Sequence, residues 1–168
     1  MDADRDQRGT RHLAQVNVAR MRGQFDSVEM HGFVAAVDPV HRLARAAPGF
    51  VWMLRSTGGH GITAVDHDGH ATVVNVSVWE SYEALHAFVY RSLHGGFVSR
   101  RSRWFLPTPQ PSTALWWVSA GERPTIDQAL ARLRVLRRDG PTPAAFSLLR
   151  RFDADGAPLG TAGRRRRP

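Results

Sequence analysis

Residues 72–105, TVVNVSVWESYEALHAFVYRSLHGGFVSRRSRWF, decide the reading of the chain. From Thr72 to Trp79, Val74, Val76 and Val78 fall on one face of a strand, while Asn75, Ser77 and Trp79 fall on the other. Ser81 then offers a side-chain oxygen as helix N-cap, with Glu83 in the first turn and Leu85, Phe88, Val89 and Leu93 at helical spacing. Gly95-Gly96 can stop that helix in left-handed geometry. A strand with one oily face therefore passes into a helix with almost no loop.

Working backwards, His12–Ala19 reads as a first strand, with Val16 and Val18 on one face and Leu13, Gln15 and Asn17 on the other. Phe33, Val37, Val40 and Ala44 form a helical stripe within Ser27–Ala47, and Asp38-Pro39 predicts a kink or two consecutive helices there. Pro48-Gly49 ends the helix, and Phe50–Thr57 predicts a second strand with Phe50, Trp52 and Leu54 facing one way. The Gly-, His- and Asp-rich stretch 58–70 reads as a mobile hairpin loop. Working forwards, the Pro-rich residues 107–112 lead to a strand at Thr113–Val118. The order is β-α-β-β-α-β, an α+β, ferredoxin-like plan in which the first and third strands are expected as parallel central neighbours.

A C-terminal extension follows. Thr125 and Gln128 form a capping box for a helix carrying Ile126, Leu130, Leu133 and Leu136, and Phe146–Phe152 predicts a last strand. One domain is expected over residues 12–152, with residues 1–11 and the Arg-rich tail, 153–168, disordered. Two helices on one sheet face would leave the other bare, and the expected cover is the same face of a second copy, a homodimer.

All 23 basic residues are Arg, and the net charge is +8. Uniform Arg usage with abundant Ala and Gly reads as the codon bias of a GC-rich bacterial genome. Arg164–Arg167 lie in the tail, and Arg132, Arg134, Arg137 and Arg138 lie on the wet side of a helix, so a solvated surface, and not a nucleic-acid interface, is the reading of the charge. Cysteine is absent, which removes disulfides and thiolate chemistry. No stretch approaches a signal peptide or a membrane span, and a cytoplasmic location is expected.

Several residues carry chemical potential. Gln15, Asn17, Asn75 and Ser77 form a polar strip expected on the sheet face away from the helices, either pairing across a dimer interface or facing a ligand. His86, Tyr90 and His94 share a broad helical face, and a neutral imidazole there can ligate iron or move a proton. His60, His67 and His70, with Asp66 and Asp68, form a minor metal option in the loop. Trp52, Trp79, Trp104, Trp116 and Trp117 are core or pocket-wall candidates, and adjacent Trp116 and Trp117 must take opposite faces.

SVWESYEALHAFVYRSLH, together with LAQVNVARM, LWWVSAGERPTIDQALARL and GPTPAAFSLLRRF, resembles a bacterial domain-of-unknown-function family of the dimeric α+β barrel superfamily. The resemblance runs from His12 to about Phe152. It implies a barrel completed by two copies. The superfamily spans cofactor-free antibiotic-biosynthesis monooxygenases, haem-degrading monooxygenases, haem-dependent dehydratases and peroxidases, polyketide cyclases and ligand-sensing domains. Its haem-degrading members use an Asn on the first strand, a Trp in the second helix and a His near that helix's end. Here Asn17 matches the first, Phe88 stands at the second, and the third falls near Val98 with His94 about one turn early.

These readings converge on a small-molecule pocket. The expected catalytic groups are His94, Tyr90 and Asn17, with Gln15, Asn75, Ser77, Trp79, Trp52 and Trp117 binding substrate. The expected function is a cofactor-free enzyme of secondary or aromatic metabolism, a monooxygenase or a proton-transfer cyclase or isomerase. A non-catalytic binding or sensing module and a haem protein ligated by His94 are the alternatives.

Overall fold

The computed structural model describes residues 9–56, 63–67, 69–94 and 100–160, with side chains at 92–94 excepted. The masked N-terminal and C-terminal residues, Gly95-Gly96, His60 and Asp68 lie outside that set. Strand β1 spans Arg11–Arg20, and a 3-10 turn at Val28–Met30 leads into helix α1, His31–Ala46. Strands β2, β3 and β4 occupy Phe50–Met53, Ala64–His67 and His70–Trp79. Helix α2 is Tyr82–His94 and α3 is a single turn, Arg101–Trp104. Then come β5 at Thr113–Ser119, helix α4 at Ile126–Asp139, and the short strands β6, Arg151–Phe152, and β7, Pro158–Leu159.

Local chemistry explains the helix ends. Ser81 Oγ accepts from the Ala84 N–H at the start of α2, and Thr125 and Gln128 cap α4 reciprocally. Of the kink or two consecutive helices expected at Asp38-Pro39, two helices do not occur: Pro39 lies inside the continuous α1. Both Pro39 and Ala35, whose carbonyl would have received its missing N–H, are exposed, so water can satisfy the orphan.

The sheet runs in the order β2-β4-β1-β5, with β3 also on β4, and each pairing is antiparallel. This is the expected ferredoxin-like plan with one correction, since β1 and β4 are antiparallel neighbours, not parallel ones. The α1 crossover returns β2 parallel to β1, and β4 must then reverse to pair with β2.

The expected loop at 58–70 also contains structure. Strand β3 forms a tight hairpin with β4 through Gly69, whose φ of 73° suits glycine. Strands β2 and β3 therefore line the same edge of β4 as two halves of one interrupted strand. The Leu54 N–H donates to the Val76 carbonyl and the Val74 N–H to the Thr63 carbonyl, so the interruption lies opposite Asn75.

The two sheet faces are covered differently. Val16, Val18, Val76, Val78, Trp116 and Val118 pack with Leu130, Leu133 and Leu136 of α4. The face expected to be bare is thus closed by the chain's own C-terminal helix. The argument for a homodimer through that face loses its premise, and the strands among the described residues form no closed barrel. Helices α1 and α2 cover the opposite face. Toward one end, Leu13, Trp79, Leu85 and Leu115 cluster with Phe146. Toward the other, Ala19, Phe33, Val37, Trp104 and Phe105 cluster.

The C-terminal part is more ordered than the expected tail. Phe146 bridges to Leu115, β6 is confined to Arg151–Phe152, and it pairs with β7. The Trp117 indole N–H donates to the Phe152 carbonyl at 2.9 Å, tying this hairpin to β5.

Candidate functional site

Cross-strand register assembles the polar strip. Gln15 lies opposite Ser77 and Asn17 opposite Asn75, while Thr113 flanks Asn17 from β5. The odd-numbered positions of β1 read Leu13, Gln15, Asn17, Ala19, so the strip separates the two apolar clusters beneath α1 and α2. It therefore lies under the helices, not on the face away from them as the sequence suggested. The turn direction of β1 into α1 sets which face is covered, and strand alternation alone does not encode it.

A cavity of about 150 Å³ opens at this strip. Its floor is Asn17 and Ala19 of β1 with Val73 and Asn75 of β4. Phe33, Val37, Val40 and His41 of α1 form the roof, and Phe105 and Arg101 close one end. Leu54 and Thr63, on either side of the interrupted edge, complete the wall. An apolar cavity of this volume accommodates roughly one benzene-sized ring.

The polar groups differ in how they are held. Asn17 Nδ2 donates to Thr113 Oγ1 at 2.7 Å and to the Ser112 carbonyl at 3.5 Å, which fixes the amide plane and spends its two donor hydrogens on the protein. The Asn75 side-chain amide, unlike its backbone, which is paired with β1, has no hydrogen-bond partner among the described residues, and it sits where the edge strand is missing. Its amide is thus available to a ligand as donor and acceptor.

His41 is the titratable group that sequence reasoning missed. It follows Val37 by one helical turn and shares its inward face. Burial first, then repulsion from Arg45, partly offset by attraction from Asp38, with a lesser repulsion from Arg55, holds its pKa below the ordinary 6.5. The imidazole is therefore neutral at pH 7 and able to accept a proton. A histidine at a stripe position of α1 was the available signal, obscured because the stripe reads equally well through Val40.

Other candidates fall elsewhere. Tyr90 is 57% exposed and stacks on His86, 6.3 Å between centroids, along the outer face of α2. It does not reach the cavity, because the inward face of that helix belongs to Leu85, Phe88 and Val89. Trp79 is buried, stacks on Phe88 at 5.0 Å and donates its indole N–H to Ser77 Oγ at 2.9 Å. That bond ties Ser77 to Trp79, and neither residue lines the cavity. Gln15 lies one register step outside it. Trp52 packs on the α4 side, because the strand is irregular between Phe50 and Trp52. Trp117 shares the helix-covered face but lies at the β6 end, while Trp116 packs under α4, the expected division between neighbours. The His94 side chain lies outside the described residues, and so does much of the His/Asp loop. Among the described residues, no group of three or more His, Asp or Glu is arranged to hold a metal.

Haem does not fit this cavity. Room for roughly one ring excludes a tetrapyrrole without displacement of α1 from the sheet.

Fold and site define an α+β domain with a small apolar cavity between an antiparallel sheet and its first helix. The chain belongs to the domain-of-unknown-function family DUF3291, whose model matches residues 12–161. No curated protein matches it in sequence. Among solved structures it is similar to the protein of unknown function NE2512 from Nitrosomonas europaea, at 10% identity and TM-score 0.45, covering 70% of this chain and 99% of that one. It is also similar to SnoaB, a cofactor-independent oxygenase from Streptomyces nogalater, at 16% identity and TM-score 0.42, covering 68% and 96%. The ActVA-Orf6 monooxygenase of Streptomyces coelicolor, solved with nanaomycin D, gives 20% identity and TM-score 0.37, covering 68% and 89%. No helix among the described residues is long and apolar enough to cross a membrane.

Proposed function

We propose that the chain is an enzyme that removes a proton from a small, largely apolar metabolite bound between β1, β4 and α1. The observation that carries this reading is the meeting of a neutral, half-buried His41 with the unpartnered Asn75 amide on one apolar cavity. His41 takes the proton from an activated C–H or O–H of the substrate. Asn75 donates to the oxygen on which negative charge develops, and the Thr113-anchored Asn17 amide offers its carbonyl to the substrate's donor. Phe33, Val37 and Val40 hold the ring and exclude water, which strengthens both contacts.

Deprotonation is the shared first step of the two reactions expected from the sequence. Return of the proton to another atom gives an isomerisation or cyclisation. Attack of the carbanion on dioxygen, with a substrate CH2 becoming C=O and water leaving, gives a cofactor-free monooxygenation. His41, in place of His94 or Tyr90, is the base in either case.

The test is exchange of the α-hydrogens of phenylacetone in D2O, followed by NMR. Catalysed exchange by the wild type and its loss of tenfold or more in His41→Gln are expected. Saturable binding of phenylacetone with no exchange above solvent rate would make the chain a binding module and end the enzymatic reading.

A further inference from the structure

The cavity has a charged end. Arg101, the first residue of α3, contributes a half-buried guanidinium to its wall, and the cation lies 6.0 Å from the centroid of the Phe105 ring. No Asp or Glu lines the cavity, and Arg101 has no carboxylate partner among the described residues. Two further cations, Arg45 and Arg55, approach His41 at the roof, opposed among the described residues by Asp38. A guanidinium cannot shed its proton, so a cation left on an apolar wall without a counter-charge is satisfied by water until an anion arrives. Its planar fork suits the two oxygens of a carboxylate.

We infer that the ligand of this cavity is a small monoanionic acid, a single ring or short branched chain lying over Phe33 and Val37 with its carboxylate paired to Arg101. The inference rests on the cavity being the functional site and adds its charge selectivity. Volume limits the apolar body to about one ring. Among the described lining residues Arg101 is the one guanidinium, which matches one anionic group on the ligand. Asn75, on the floor opposite the roof, remains for a second polar atom of the ligand, so acids bearing a carbonyl or hydroxyl on the ring or side chain fit better than plain ones.

Calorimetric titration with benzoate and with its uncharged isostere benzamide separates the charge inference from the cavity reading. Benzoate is expected to bind with one site per chain, at least tenfold tighter than benzamide, about 1.4 kcal/mol. Arg101→Gln should weaken benzoate at least tenfold and leave benzamide within twofold, while Arg101→Lys, which keeps the charge but loses the fork, should fall between. In the wild type, saturating benzoate should raise the His41 pKa followed by NMR, because an anion enters the same cavity, and benzamide should not. Equal affinity of the two probes, or an equal loss of both in an Arg101→Gln variant that keeps the native His41 resonance, would overturn the charge inference and leave the cavity reading intact. Failure of both probes to bind the wild type would overturn both. Because benzamide binding and the His41 resonance report on the fold of each variant, a misfolded Arg101→Gln is recognised by loss of both, and Arg101→Lys then decides.

Discussion

One sheet carries two unlike faces. On the α4 side, Val16, Val76 and Val78 are each 0% exposed and meet Leu133, also 0% exposed, in a dry core. On the α1 side, the alternate residues of the same strands are Gln15, Asn17, Asn75 and Ser77, and there the packing opens into a cavity. Polar side chains cannot interdigitate without partners, so the strip divides the apolar cover into two clusters and leaves space between them. Strand alternation thus places the dry core on one face and the polar strip with its cavity on the other. A one-residue slip in β1 would exchange them.

The contrast can be broken most sharply at α4. Leu133→Ala should cost about 2–5 kcal/mol of unfolding free energy in urea titration, because its neighbours on the sheet cannot collapse into the space. A cost below 1 kcal/mol would mean that α4 is not the core cover described. On the cavity face, Asn75→Ala should change stability by less than about 1 kcal/mol, since among the described residues the amide has no partner to orphan. Benzamide affinity should nonetheless fall several-fold. Equal destabilisation by the two substitutions would erase the distinction between the faces.

The smallest effect is on pH dependence. A histidine whose folded pKa is depressed binds fewer protons folded than unfolded, so stability rises with pH across the window between the two values. The protein should lose stability as pH falls from the ordinary 6.5 toward the folded value, and His41→Gln should flatten that slope. The groups facing this imidazole are Arg45, Arg55 and Asp38. An unchanged slope in the variant would place the pH sensitivity elsewhere.

Much of this architecture was legible in the sequence. The valines of β4, the Ser81 cap and the Thr125 capping box each fix an element through neighbours in the chain, and the structure reproduces them. The polar strip was legible too, because alternation and order place Gln15, Asn17, Asn75 and Ser77 on one face of paired strands. What covers that face was not legible. Both α1 and α4 carry apolar stripes, and nothing local in Leu130 or Leu133 says which side of the sheet they will meet. The same gap hid His41, whose value depends on α1 lying over Asn75. Tyr90 shows the converse error: sharing a helix with His86 and His94 placed it on a face, but that face turns outward and the sheet-facing one belongs to Leu85 and Phe88. Trp52 was misplaced by the irregularity between Phe50 and Trp52, which simple alternation cannot foresee.

The central claim is that the space between α1 and the sheet is the ligand site. Its most direct test is a crystal soaked with iodobenzene, which carries no charge and so does not depend on Arg101. The anomalous iodine peak is expected in van der Waals contact with Phe33 or Val37, on the Asn75 side of the sheet, and absent from Asn75→Trp, whose indole fills the cavity. A peak on the α4 side, or retention of the same peak in Asn75→Trp, would contradict the account.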